Sequence, residues 1–93
     1  MVVGICTVEL IIPESNSLKD KRQVLKSLLT GIRQRFNVSV AEVGEQDTWR
    51  RAVLGIACIS NDQAFTNQVL SKATDWIESN PRVQVLSIEM EFV

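Results

Sequence analysis

Histidine is absent from this 93-residue chain, and so is tyrosine. Without histidine the commonest general base and the commonest metal ligand are missing, so no Ser-His-Asp or Cys-His constellation can be assembled. Cysteine is scarce. Cys6 and Cys58 are too few for a disulfide framework and too far apart in sequence for a C-x-x-C redox pair, which makes the cytoplasm the expected compartment and buried inert thiols the expected state. Gly4, Gly31, Gly44 and Gly55 are isolated, which excludes a glycine-rich phosphate loop. No apolar run reaches the roughly 18–20 residues of a membrane span, and no basic segment precedes the apolar start as it would in a signal peptide. Aromatic residues make up 5% of the chain, too few and too badly placed for an RNA-recognition sheet with aromatics on its central strands. No metal and no cofactor are expected, and no enzymatic constellation is visible. The acyl-phosphate hydrolases of small α+β folds need a phosphate-gripping loop after the first strand. Here that loop is Pro13-Glu14-Ser15-Asn16, which has neither glycine nor arginine.

What is present is a pattern of elements sufficient for one domain, residues 1–93. Val2–Ile12 is rich in β-branched residues, alternates in its second half, and meets Pro13. Ser17 and Asp20 form an S-x-x-D capping signature, followed by Leu18, Leu25, Leu28, Leu29, Ile32 and Phe36 at helical spacing. Gly31 within this helix implies close approach to the sheet. Strands are expected at Val38–Val43 and Ala52–Ile59, with a hairpin loop at Gly44–Thr48. A second capping signature at Ser60–Gln63 introduces a helix with Phe65, Val69, Ala73, Trp76 and Ile77 on one face, stopped at Asn80-Pro81. The last strand runs from Arg82 towards Phe92. The order β-α-β-β-α-β is the ferredoxin-like pattern, an α+β fold with two helices on one face of a four-stranded antiparallel sheet in the order 4-1-3-2. Such a fold hosts many unrelated functions.

Charge is unevenly distributed although the total is only −1. Between Asn16 and Phe36 stand Lys19, Lys21, Arg22, Lys26, Arg33 and Arg35 against the single acid Asp20, and the remainder of the chain is net −6. At about 100° per residue, Lys19, Arg22, Lys26 and Arg33 share one narrow flank beside the apolar stripe, with Lys21 and Arg35 on the other side. A helix start bearing Lys19, Lys21 and Arg22 suits an anion such as phosphate. The plainer alternative is a solvated face, or pairing with the protein's own acids. Trp49-Arg50-Arg51 offers a second contact, by stacking on bases or on a partner; alternatively Trp49 caps the end of the core. The partners these residues point to are RNA or a ribosomal particle, the alternative being a protein-interaction module without nucleic acid.

The strand patterns also bear on self-association. In the first strand Cys6, Val8, Leu10 and Ile12 are expected to face the helices, leaving Val3 and Ile5 on the open side with Thr7 and Glu9. In the last strand Leu86, Ile88, Met90 and Phe92 are expected inward, with Val83 and Val85 on the open side beside Glu89 and Glu91. Both faces of the third strand are apolar, so either can be the buried one. An open face carrying Val3, Ile5, Val83 and Val85 implies a homodimer that covers it.

Ser17-Leu18-Lys19-Asp20-Lys21-Arg22 and Val24–Leu28, then Phe36–Val43, Asp47–Ala52 and Leu54-Gly55, make the chain resemble the YlxP-like family of small bacterial proteins. The resemblance spans essentially the whole chain. It implies a ferredoxin-like fold and brings no catalytic residues. The family's gene placement, beside transcription and translation factors, implies a role near RNA or the ribosome.

Overall fold

Alternation in the first strand decides which side of the sheet is buried. The computed structural model describes all residues 1–93 as β1 (Val2–Ile11), α1 (Leu18–Arg35), β2 (Ser39–Gly44), β3 (Arg51–Ser60), α2 (Gln63–Glu78) and β4 (Gln84–Phe92). The strands form one antiparallel sheet in the order β2-β3-β1-β4, which is the expected ferredoxin-like order read from the other edge. Cys6, Val8 and Leu10 of β1 and Leu54, Ile56 and Cys58 of β3 are buried on the helix side, joined by Leu25, Leu28 and Ile32 of α1 and Leu70 and Ile77 of α2. The buried face of β3 is therefore settled by its pairing with β1: Val8 opposite Leu54, Cys6 opposite Ile56.

α1 begins where its capping signature puts it, whereas α2 begins two residues later than a cap at Ser60 implies, because Ser60 still belongs to β3. Ser17 Oγ accepts from Asp20 N at 3.0 Å, while Asp20 Oδ2 accepts from Asn16 N at 3.0 Å, one residue earlier than in a standard capping box. Asp62 caps α2, accepting from Ala64 N at 3.1 Å. The apolar stripe of α2 is rotated from expectation. Thr66 and Leu70 are buried in place of Phe65, which is 53% exposed. Gly4 explains the rotation, because a Cβ there would lie 2.4 Å from Thr66 Cγ2 and 2.7 Å from Leu70 Cδ1, so α2 settles into the space glycine leaves. Gly31 also marks a close approach, but to the other helix: its absent Cβ would lie 2.3 Å from Trp76 Cη2.

The last strand overturns two residues of the expected open face. Glu9 pairs with Ser87 and Leu10 with Val85, so Leu86 is an extra residue in a bulge. One inserted residue reverses the alternation beyond it. Val83 is consequently buried and Val85 packs against the core, whereas Leu86 is 47% exposed. Val3 and Ile5 do lie on the open face, opposite Ile59 and Ala57 of β3, and Ile5 stands beside Glu91 of β4. A second bulge, in β2 at Val43, sets that side chain over Gly55 on the same face. No helix is long and apolar enough to cross a membrane.

Candidate functional site

Lys19, Arg22, Lys26 and Arg33 are all exposed on α1, and none has an acidic partner. The two ion pairs of the molecule are Lys21–Glu42 and Arg51–Glu9, so none of the four is in an ion pair, although Glu42 lines the groove beside Arg22, Lys26 and Arg33. Arg33 alone among the four is tethered, donating from Nη2 to the carbonyl of Val40 at 2.9 Å. With Arg22 and Lys26 it lines a shallow groove of about 370 Å³ between α1 and the edge strand β2, floored by Leu25 and Leu29. Like charges three or four residues apart on a helix, as at Lys19, Arg22 and Lys26, cost about 0.2–0.5 kcal/mol per pair. An anion in contact with them reverses the sign of that term.

Lys21 does not belong to this surface. It is 1% exposed, and its ammonium donates to the carbonyls of Glu45 at 2.7 Å and Arg51 at 3.0 Å, with Gln46 at 3.4 Å. Glu42 Oε2 lies 3.0 Å from the same nitrogen, off the hydrogen-bonding direction, and balances its charge. Lys21 is thus a clamp between the first turn of α1 and the β2–β3 hairpin, where Glu45 takes a left-handed backbone (φ 58°). An expected phosphate ligand is an internal tie.

The hairpin cations are likewise engaged. Arg50 donates from Nε to the carbonyl of Ser15 at 2.9 Å and from Nη2 to Asn16 Oδ1 at 3.3 Å, fastening the loop after β1. Arg51 pairs with Glu9 across the open sheet face. Trp49 remains 55% exposed and outside the core cluster, so it does not cap the core. The structure brings Trp49, Arg50 and the start of α1 to one end of the molecule, with Arg50 and Arg51 holding that end together.

Neither thiol is placed for chemistry. Cys6 and Cys58 are both buried and unpaired, and they sit diagonally rather than opposite, since Cys6 pairs with Ile56 and Cys58 with Gly4. Burial pushes the Cys6 thiol above its ordinary value of 9.0. No three His, Cys, Asp or Glu side chains are grouped as metal ligands would be.

Residues 3–90 match the model of a family described as "Protein of unknown function (DUF503)". The chain is also 41% identical over 83 residues to the "Uncharacterized protein YlxP" of Bacillus subtilis (strain 168), across 89% of this chain and 90% of that protein. The chain belongs to the DUF503 family. That membership agrees with the YlxP-like resemblance and leaves the function uncharacterised. Nothing in the DUF503 comparisons or in the geometry points to an enzymatic activity. A further arrangement lies on the far side of α1. Arg35 stacks on Trp76 with its Cζ 4.6 Å from the ring centroid, a pairing 41 residues apart that no local spacing signals.

Proposed function

We propose that this protein is a non-enzymatic binding module whose α1 flank contacts the phosphates of structured RNA, free or in a ribosomal particle. The observation that carries the reading is the set of four exposed cations without acidic partners, Lys19, Arg22, Lys26 and Arg33, in a chain whose net charge is −1. A helix flank beside a shallow groove matches a backbone-tracking contact, in which several cations each meet one phosphate and affinity falls steeply with salt. Exposed Trp49, at the end of the molecule where α1 begins, supplies a second contact. Reversing charge in the triple variant Lys19→Glu, Arg22→Glu, Lys26→Glu, none of which is tied to the rest of the protein, is expected to abolish RNA or ribosome binding in a filter or sedimentation assay, with the circular dichroism spectrum unchanged. Binding that persists in the triple variant rules this flank out.

A second reading, a protein-interaction module acting as a homodimer, is favoured by the open sheet face. Ile59 there is 65% exposed and stands opposite Val3, and Val43, 57% exposed, lies over Gly55 on the far side of β3 from Val3 and Ile5. Isolated monomers rarely leave such residues contiguous.

A further inference from the structure

Between α1 and α2 runs a second groove, of about 570 Å³, within the size range of small-ligand sites. Its back wall is a layered arrangement. Gly31 has no Cβ, so the six-membered edge of Trp76 lies directly against α1. Arg35 covers the indole, its Cζ 4.6 Å from the centroid, and its Nη1 donates to the carbonyl of Gly31 at 3.2 Å. The guanidinium is therefore fixed in plane on one side, while the residue as a whole stays exposed. The groove is lined by side chains carrying both donors and acceptors, Gln23, Thr30 and Gln34 of α1 and Asn80 beyond α2, with Gln23 about three helical turns from Arg35. No lining residue carries a carboxylate, and Lys26 stands on the ridge shared with the α1–β2 groove.

An immobilised guanidinium plane backed by tryptophan, in a groove whose lining also supplies amides, a hydroxyl and a free ammonium, fits one ligand chemistry. The plane stacks a heteroaromatic base, the amides and hydroxyl meet its hydrogen-bonding edge, and the ammonium meets a phosphate. We propose that the α1–α2 groove binds a nucleoside monophosphate unit, with its base stacked on Arg35 over Trp76 and its phosphate on Lys26. The source of that unit favoured by the shared Lys26 is an unpaired nucleotide of the RNA whose backbone lies along the α1 flank, and to that extent the inference rests on the reading above. A free mononucleotide has the same chemistry.

In a Trp49→Phe background Trp76 is the sole tryptophan, and its emission reports on the groove. Two RNA hairpins of equal length are titrated, one fully paired and one with a single bulged adenosine, together with AMP alone. The bulged hairpin is expected to change Trp76 emission saturably and to bind about tenfold tighter than the paired one, the lower range for stacking one base. Arg35→Lys keeps the charge and loses the plane, so it should erase that preference while leaving the paired hairpin's affinity and salt dependence unaltered. Thr30→Met, which fills the groove without adding a second indole, should do the same. Saturable quenching by AMP with no RNA binding supports the groove, assigns its ligand to free nucleotides, and overturns the RNA reading of the flank alone. Equal affinity for both hairpins with silent AMP overturns the groove, and the flank reading then stands or falls on its own charge-reversal variant.

Discussion

Lys21 shows how one side chain alters the meaning of its neighbours. Its position is legible in the sequence after the fact, for Lys21, Leu25, Leu28 and Ile32 stand at i, i+4, i+7 and i+11, the centre of the buried stripe. What the sequence does not contain is the ring of carbonyls from Glu45 and Arg51 that makes a buried ammonium tolerable. Those acceptors belong to a hairpin whose conformation depends on the completed sheet. Lys21→Met removes the ammonium, leaves those carbonyls short of a donor and strips Glu42 of its counter-ion. It should lower stability in urea denaturation by about 2–4 kcal/mol, whereas Arg22→Met, one residue on, should change it by less than about 0.5 kcal/mol. Cys6 offers a pH signature. Its raised thiol pKa means that the folded state holds the proton more tightly than the unfolded state. The associated stability is complete below about pH 9 and is lost as the pH rises through the folded-state value. Cys6→Val should therefore flatten the alkaline decline of the urea midpoint above about pH 9.

Between elements, the contacts that matter are made where a residue is missing or added. Gly31 and Gly4 are places where a helix comes down on something: α1 on Trp76, and α2 on β1 through Thr66 and Leu70. In an exposed helix Gly→Ala gains about 1 kcal/mol. Gly31→Ala should instead lose about 1–3 kcal/mol, because the new methyl meets the indole edge. Trp76→Leu in the same chain should restore part of the loss in a thermal melt. The capping signature of α1, the element order and the alternation of β1 were legible because each is encoded within a few consecutive residues. The bulge at Leu86 was not, because an extra residue in β4 is defined only by its partners Glu9 and Leu10 on β1. Misreading that one residue placed Val83 and Val85 on the wrong face. Val83→Ala should accordingly act as a core truncation, lowering the melting temperature without changing the oligomeric state.

Taken whole, the molecule has two dissimilar sides. The helix side gathers the cations of α1, and the open sheet face carries Val3, Ile5, Val43 and Ile59, with Glu89 and Glu91 towards the β4 edge. If the sheet face joins two copies, light scattering at micromolar concentration should give the mass of two chains, and Ile5→Lys should reduce it to one; a single-chain mass in the unaltered protein removes the second reading. The sheet also imposes an order of events on biosynthesis. β1 is the central strand of its half of the sheet, and its partner on the outer side is the last strand, with Gly4 opposite Phe92 and Ile11 opposite Gln84. A nascent chain can pair β1 with β3 while elongation continues, but it leaves one flank of β1 open until β4 has been made. Until then Cys6, Val8 and Leu10 lack their neighbours on that side. Premature termination before Gln84 would leave a product with a bare strand at the heart of its sheet, a template for aggregation rather than a smaller working domain.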